Sequence, residues 1–143
     1  MEIEDIANEI FTTLGPGYSE RVYHTAMEVM LRELHVPYES ERNIQIPFKG
    51  HIIGYLRADI IVDNSIILEF KTIKTLNEAV EVQGLNYLNL TGLKTAYLIN
   101  FPPFRGARVE VKKICIENDD KEKVVLFFSV KESPRKKCYS FPN

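Results

Sequence analysis

The sequence lacks the features that mark membrane-spanning, exported or zinc-scaffolded chains. No apolar run approaches the roughly 20 residues that a membrane-spanning helix needs, and the first residues, MEIEDIANEIF, are acidic where a signal peptide is basic. Tryptophan is absent, and Cys115 and Cys138 lie far apart, with neither a CxxC motif nor a neighbouring histidine. Neither a zinc site nor a disulfide framework is indicated. We therefore expect a soluble, intracellular protein with reduced cysteines and no membrane contact.

The composition is typical of one globular domain. With 143 residues, of which 45% are hydrophobic and 27% charged, the chain is long enough to bury a core without cross-links. The net charge of -2 conceals an asymmetry, since residues 1–70 carry 5 Lys or Arg against 12 Asp or Glu, and residues 71–143 carry 13 against 8. Overall charge does not indicate a nucleic-acid-binding protein, although RGARVEVKK and SPRKK could contribute a basic face.

Hydrophobic periodicity predicts an α/β fold in which a mixed sheet is flanked by helices. Two N-terminal helices are followed by three strands, a helix, a buried strand and a hairpin. A strand, a helix and a buried strand in succession indicate a parallel crossover. The predicted bounds are about 3–14 and 19–35 for the helices, 38–48, 53–62 and 66–71 for the strands, 76–90 for the third helix and 95–101 for the buried strand.

The C-terminal part is predicted to extend a single domain over residues 1–132. The core occupies about 3–111, and a hairpin extension over about 107–130 is formed by RVEVKKICI and KVVLFFSV at the sheet edge. We expect its buried residues to include Val109, Val111, Val125 and Phe127, and an exposed apolar edge there would favour self-association. Residues 133–143 show no periodicity and are predicted to be a tail.

Charged residues interrupt two otherwise apolar strands in YLRADIIVDNSIILEFKT, residues 55–72. Burying an unpaired carboxylate is costly, so Asp59 and Glu69 need compensation. A two-residue turn at Asp63 and Asn64 would leave them on opposite faces, whereas a three-residue turn or a bulge would bring them together. Asn64 tolerates the left-handed backbone that such a turn requires. Together with Lys71, they would then form a site suited to Mg²⁺ or Mn²⁺.

Taken together, these motifs resemble the PD-(D/E)XK nucleases. GYSERVY, residues 17–23, reads as G-x-x-E-x-x-Y, the signature of the GxxExxY family within that superfamily, and RAD, LEFK, QGLNYL and TGLKTAYLINF follow in the order that family shows. The resemblance covers residues 3–111 and implies an αβββαβ core. Its QxxxY element is similar to that of RecB-like nucleases. Ala58 stands where the motif name has proline.

The resemblance also implies roles for individual residues. Asp59 and Glu69 would hold Mg²⁺ or Mn²⁺ with the backbone carbonyl of Phe70, and Glu20 would add a carboxylate from the second helix. Lys71 would orient or deprotonate the attacking water and offset phosphate charge. Gln83 would complete the catalytic set, and with Tyr87 it matches the QxxxY element, which braces the site or touches phosphate. The residues expected to contact nucleic acid are Arg57, Lys74 and Tyr87.

Simpler interpretations exist for each residue taken alone. A D…ExK string occurs on many solvated strands, and Glu20 alone would be a helix N-terminal charge; the inward positions predicted for Glu20 and Gln83 favour the nuclease interpretation. Arg57 fits a phosphate contact and a carboxylate partner equally well. Surface roles are expected for the histidines, which share no spacing: His24, His35 and His51.

Two functions follow from these patterns. The first is a metal-dependent nuclease that hydrolyses phosphodiester bonds, with DNA favoured over RNA. The second is a catalytically silent module that keeps the nuclease fold within a larger assembly. Because the chain has little beyond a catalytic core, we expect a second copy or another protein to supply specificity.

Overall fold

The computed structural model describes residues 2–119 and 122–129. Within these residues, three helices and six strands follow one another in the predicted order. Their bounds are α1 Ile3–Leu14, α2 Glu20–Glu33, β1 Tyr38–Phe48, β2 His51–Val62, β3 Ile66–Lys71, α3 Glu78–Thr91, β4 Thr95–Asn100, β5 Glu110–Asp119 and β6 Glu122–Ser129. The predicted tail, residues 133–143, and the SPRKK stretch lie outside the described residues.

All six strands form one mixed sheet in the order β1-β2-β3-β4-β5-β6. Only β3 and β4 run parallel, and α3 connects them, which confirms the predicted crossover; the other pairs are antiparallel. Buried apolar residues cover both faces of β3 and β4, as expected of strands in the middle of a sheet. The sheet flanked by helices confirms the predicted fold class.

Each face of the sheet has its own core. On one face, α1 and α2 pack through residues such as Ile6, Tyr23 and Met27 against alternate residues of the central strands. On the other, α3 packs through Val80, Tyr87 and Leu88. Gly84 lets α3 approach the sheet closely, because a Cβ at this position would lie 2.8 Å from Cδ1 of Ile114. The candidate site lies between these two layers.

The predicted C-terminal hairpin is present as β5 and β6, at the edge of the sheet opposite β1. Val109 and Val111 are buried as expected, and Val125 is partly buried. The prediction for Phe127 is wrong, because this side chain is 44% exposed. In the sheet formed by residues 2–119 and 122–129, it lies on the edge strand β6, whose neighbouring strand is β5.

Two expectations about the chain as a whole can also be compared with the structure. Cys115 is buried and disulfide-bonded, so the expectation of reduced cysteines is wrong for this residue; Cys138 lies outside the described residues. Among the helices of residues 2–119 and 122–129, none is both long and apolar enough to cross a bilayer.

Candidate active site

The turn between β2 and β3 sets the register that the site requires. Val62 pairs with Ile66, which leaves three residues in the loop, and Asp63 and Asn64 both have left-handed backbones with φ near +50°. The ladder then continues as far as Ile60 and Leu68. Extending this register by one residue places Asp59 opposite Glu69, so of the two expected alternatives, a three-residue turn or a bulge, the loop is the three-residue turn.

Asp59 lies where β2 changes phase. Ile60 and Val62 belong to the core under α1 and α2, but Ala58 belongs to the core under α3, so the two-residue alternation slips at Asp59. Across the strand pair, Ser40 pairs with Ile60 and Arg42 with Ala58, and Glu41, which lies between them, has a φ of +59°. This irregularity lets Asp59 project sideways, toward β3, rather than up or down from the sheet.

Side-chain hydrogen bonds replace the backbone ladder where β2 and β3 separate. The Phe70 N–H donates to Oδ2 of Asp59 at 2.9 Å, and the Asp59 N–H donates to Oε1 of Glu69 at 3.1 Å. The Phe101 N–H donates to the Lys71 carbonyl, which therefore faces β4. Because successive residues of a strand point their backbone groups to opposite edges, the Phe70 carbonyl faces the gap between β2 and β3. The carboxyl groups of Asp59 and Glu69 and the Phe70 carbonyl thus lie at the same gap between β2 and β3.

Burial and repulsion keep Glu69 protonated near neutral pH. Its side chain is only 4% exposed, and burial, followed by the nearby charge of Asp59, raises the pKa of Glu69 to about 9. The Asp59 N–H and the positive charge of Lys71 oppose this shift without cancelling it. This confirms the expectation that at least one carboxylate would have a raised pKa, with burial contributing more to the shift than the repulsion on which the expectation rested.

The donor set suits a hard divalent cation. Asp59 and Glu69 offer carboxylate oxygens, Phe70 offers a carbonyl oxygen, and the raised pKa of Glu69 shows that negative charge here lacks compensation. In the described part of the chain, however, no three His, Cys, Asp or Glu side chains come together as a preformed metal-binding group. Glu20 is therefore not gathered with Asp59 and Glu69 in this structure.

A cleft of about 550 Å³ opens on Asp59 from the side of α2. Ser19, Glu20, Arg21 and His24 line one wall, Glu41 and Arg57 line the other, and Phe70 and Thr72 lie beside Asp59. Glu20 is exposed rather than buried, so it faces the cleft and not the core. Arg21 pairs with Glu41 across the cleft, whereas the Arg57 guanidinium forms no ion pair with any side chain that the structure describes.

His24 is the cleft residue whose environment the sequence did not indicate. It is buried, its Nε2 lies 2.9 Å from Oγ of Ser40 and 3.5 Å from the Glu28 carboxylate, and its ring packs against Phe70. The expectation of a surface role is therefore wrong for His24. No spacing in the sequence links His24 to Phe70, because their contact depends on how α2 crosses the sheet.

α3 braces the site from the opposite face. Tyr87 is buried, and its hydroxyl donates to the Arg57 carbonyl at 2.7 Å; burial, then the charges of Glu69 and Asp59, raise the pKa of Tyr87. Of the two roles expected for Tyr87, this geometry favours bracing. Gln83 is half-buried on the same helix, and its side chain makes no hydrogen bond with the side chains and backbone that the structure describes. Glu81 faces away from the site and pairs with Lys112 on β5.

The loop after Lys71 is held by a buried amide that sequence reasoning missed. Asn100, fully buried beside Lys71 in the parallel register, bonds to both the N–H and the carbonyl of Ile73 and donates to Glu110. Glu110 in turn accepts from the Thr75 hydroxyl and the Leu76 N–H. This network fixes residues 73–76, which include the exposed Lys74. The sequence offered one signal for this network, which is that the polar residue Asn100 ends an otherwise apolar strand.

Comparison with known proteins agrees with this geometry. The sequence profile of the PD-(D/E)XK nuclease superfamily matches residues 1–114. Among solved structures, one titled "Crystal structure of SSO0001" matches with a TM-score of 0.52 and 23% identity, covering 70% of this chain and 52% of that chain. The present chain thus spans about half the length of that protein, and the likeness supports the fold alone. A search of curated proteins found no match. On the profile match over residues 1–114, the chain belongs to the PD-(D/E)XK nuclease superfamily.

Proposed function

We propose that this protein is a metal-dependent nuclease that hydrolyses phosphodiester bonds in nucleic acid. The observation that carries the proposal is the pair of adjacent carboxylates, Asp59 and Glu69, at the gap between two central strands, with Lys71 close enough to influence the pKa of Glu69. A fold maintained only for stability gains little from burying one carboxyl group beside a second one. A site that hydrolyses phosphodiester bonds can use two adjacent carboxyl groups to bind a divalent cation.

Asp59, Glu69 and the Phe70 carbonyl are the groups that would hold Mg²⁺ or Mn²⁺. Such a cation, when bound, supplies Lewis-acid stabilisation of negative charge on the phosphoryl oxygens. Lys71, from the end of β3, orients the attacking water and adds positive charge beside the phosphate. Glu20 lies across the cleft from Asp59, where a carboxylate can accept a hydrogen bond from that water. Tyr87 holds β2 in place through the Arg57 carbonyl.

The G-x-x-E-x-x-Y motif supports assignment to the GxxExxY branch of the superfamily. Gly17 has a φ of +101°, which favours glycine, and Glu20 begins α2 at the cleft. Tyr23 is fully buried, its hydroxyl donates to the Gly15 carbonyl, and its ring stacks on Phe101 at 4.2 Å. The motif thus fixes the start of α2, and with it Glu20, against the end of β4.

The expected substrate is nucleic acid, because Arg57 lines the cleft and the exposed Lys74 follows the end of β3, and both carry charge that can meet phosphate. DNA is expected in preference to RNA. Specificity would come from a second copy of the chain or from another protein. The edge strand β6 is one surface on which such pairing can occur.

A cleavage assay tests the proposal. Single-stranded, duplex and branched DNA and single-stranded RNA are incubated with the protein and Mg²⁺, Mn²⁺ or EDTA. We expect cleavage of at least one form with a metal, none with EDTA, and loss of cleavage in Lys71→Ala. Lys94→Ala is the matched control, because Lys94 is exposed and precedes β4 at the opposite end of the parallel strand pair. Equal activity of both variants, or no cleavage of any form, would favour the catalytically silent module.

A further inference from the structure

The β1–β2 hairpin extends beyond the rest of the sheet as an exposed arm. β2 pairs with β3 only over residues 60–62, whereas β1 and β2 continue to pair out to Phe48 and His51. We call residues 42–58 the β1–β2 arm. Ile44 and Leu56 on one face of the arm pack toward α3, so that face is supported. On the opposite face the side chains are exposed in the part of the chain that the structure describes, and we call this the open face.

The open face of the arm leads directly into the cleft. Arg57 lines the cleft beside Asp59, and Tyr55 lies two residues further out on the same side of β2, with its side chain 63% exposed. Their partners across the strand pair, Asn43 and Gln45, are also exposed. Tyr55 is roughly 13 Å along the strand from Asp59, a distance that a few nucleotides can span.

The chemistry of this face matches nucleic acid. Arg57 gives the open face of the β1–β2 arm a positive charge, and the arm contains no Asp or Glu. Of its other two basic residues, Arg42 lies on the supported face and pairs with Glu39, and Lys49 lies in the turn between β1 and β2. The open face presents an aromatic ring, a guanidinium and two side-chain amides in a row. Positive charge that follows the backbone, together with an aromatic side chain on which bases stack, characterises binding of single strands.

We propose that the β1–β2 arm binds unpaired nucleotides next to the scissile phosphate, with a base stacked on Tyr55 and the adjoining phosphate on Arg57. The substrate is then a nucleic acid with a single-stranded segment at the cleavage point, because the face of a base is available to an aromatic ring only when the base is unstacked from a duplex. This inference deepens the proposed function and rests on it only for the position of the scissile phosphate.

The absence of tryptophan from the sequence allows a direct test. Tyr55→Trp introduces a single fluorophore on the arm, and Phe127→Trp introduces one at the opposite edge of the sheet, at a position that is also exposed. Each protein is titrated in EDTA with a 20-nucleotide single-stranded DNA and with a blunt duplex of the same sequence. We expect the single strand to quench the fluorescence of Tyr55→Trp and leave that of Phe127→Trp unchanged, and the duplex to quench neither.

Binding affinities give a second readout. By fluorescence anisotropy of the labelled single strand, Tyr55→Ala should weaken binding at least 5-fold, the lower end expected for one lost stacking contact, while Tyr55→Phe stays close to wild type and Phe127→Ala is unchanged. Equal effects of Tyr55→Ala and Phe127→Ala, or stronger quenching by the duplex than by the single strand, would overturn the proposal.

Other outcomes separate this inference from the proposed function. If Tyr55→Ala alters the mass of the protein in light scattering and leaves binding of the single strand unchanged, the open face is a contact between copies of the chain and the inference is wrong. Cleavage of nucleic acid without quenching of Tyr55→Trp would refute the inference alone. Quenching without cleavage under any metal would support the inference and refute the nuclease.

Discussion

Replacing Glu69 by glutamine should change how stability depends on pH. With its pKa at about 9 in the folded protein and near 4.5 when unfolded, Glu69 stabilises the fold in its protonated form. That contribution is complete below about pH 4.5 and is lost as pH rises toward 9. Glutamine keeps the oxygen that accepts from the Asp59 N–H and resembles the protonated acid, but it cannot ionise.

The magnitude follows from the shift. Over the pH range between the two pKa values, the free energy of unfolding of wild type should fall relative to that of Glu69→Gln by up to about 1.4 kcal/mol per pH unit. Between pH 6 and pH 8 this amounts to roughly 2–3 kcal/mol. Taking the difference between the two proteins removes the contribution of the other titrating groups, which they share.

Urea unfolding in EDTA, at pH 6, 7 and 8, measures this difference. Wild type and Glu69→Gln should be closest in stability at pH 6 and diverge as pH rises, with Glu69→Gln the more stable at pH 8. In addition, Mg²⁺ binding by wild type at pH 7 should release close to one proton per cation, which calorimetry in buffers of different ionisation enthalpy detects. Two stability curves that stay parallel across this range would show that Glu69 is already ionised in the folded protein, and the reasoning would be refuted.

Three other substitutions test separate parts of the structure. Asp59→Asn should be at least as stable as wild type in EDTA, but its melting temperature should rise less with Mg²⁺ or Mn²⁺, and it should cut nothing. The control Asp63→Asn, on the neighbouring turn, should show the same metal-induced rise in melting temperature as wild type. Equal rises in the two variants would mean that Asp59 is not a ligand. Asn100→Ala should lower the free energy of unfolding by about 2 kcal/mol and reduce cleavage, because it leaves both backbone groups of Ile73 without their partner; unchanged urea unfolding would contradict this. Gly84→Val should cost roughly 1–3 kcal/mol, since even a Cβ there meets Ile114 and Leu98, and a variant as stable as wild type would show that α3 can move away from the sheet.

The sequence predicted the parts of the site that depend on local pattern. Strand alternation and the left-handed tolerance of Asn64 were enough to predict that a three-residue turn would bring Asp59 and Glu69 together, and the register of β2 and β3 confirms it. The crowded charges alone predicted a raised pKa, which Glu69 has. These inferences succeed because they depend on residues within one hairpin.

The sequence did not predict features that depend on distant contacts. The phase slip opposite Glu41 directs Asp59 into the plane of the sheet, yet Glu41 reads as an ordinary strand residue. The burial of His24 requires α2 to cross over Phe70, and the exposure of Phe127 follows from its strand being last in the sheet. In each case the sequence pattern shows correctly which residues share a face of the strand or helix. Whether that face is covered depends on a distant part of the chain.

The central claim is that Asp59, Glu69 and the Phe70 carbonyl form one cation site at the gap between β2 and β3. Anomalous diffraction from crystals soaked in Mn²⁺ tests it most directly. We predict a single strong peak about 2.1 Å from an oxygen of each of the three groups, and its loss in Asp59→Asn crystals soaked in the same way. A peak elsewhere with none at this gap, or a peak that persists unchanged in Asp59→Asn, would contradict the claim.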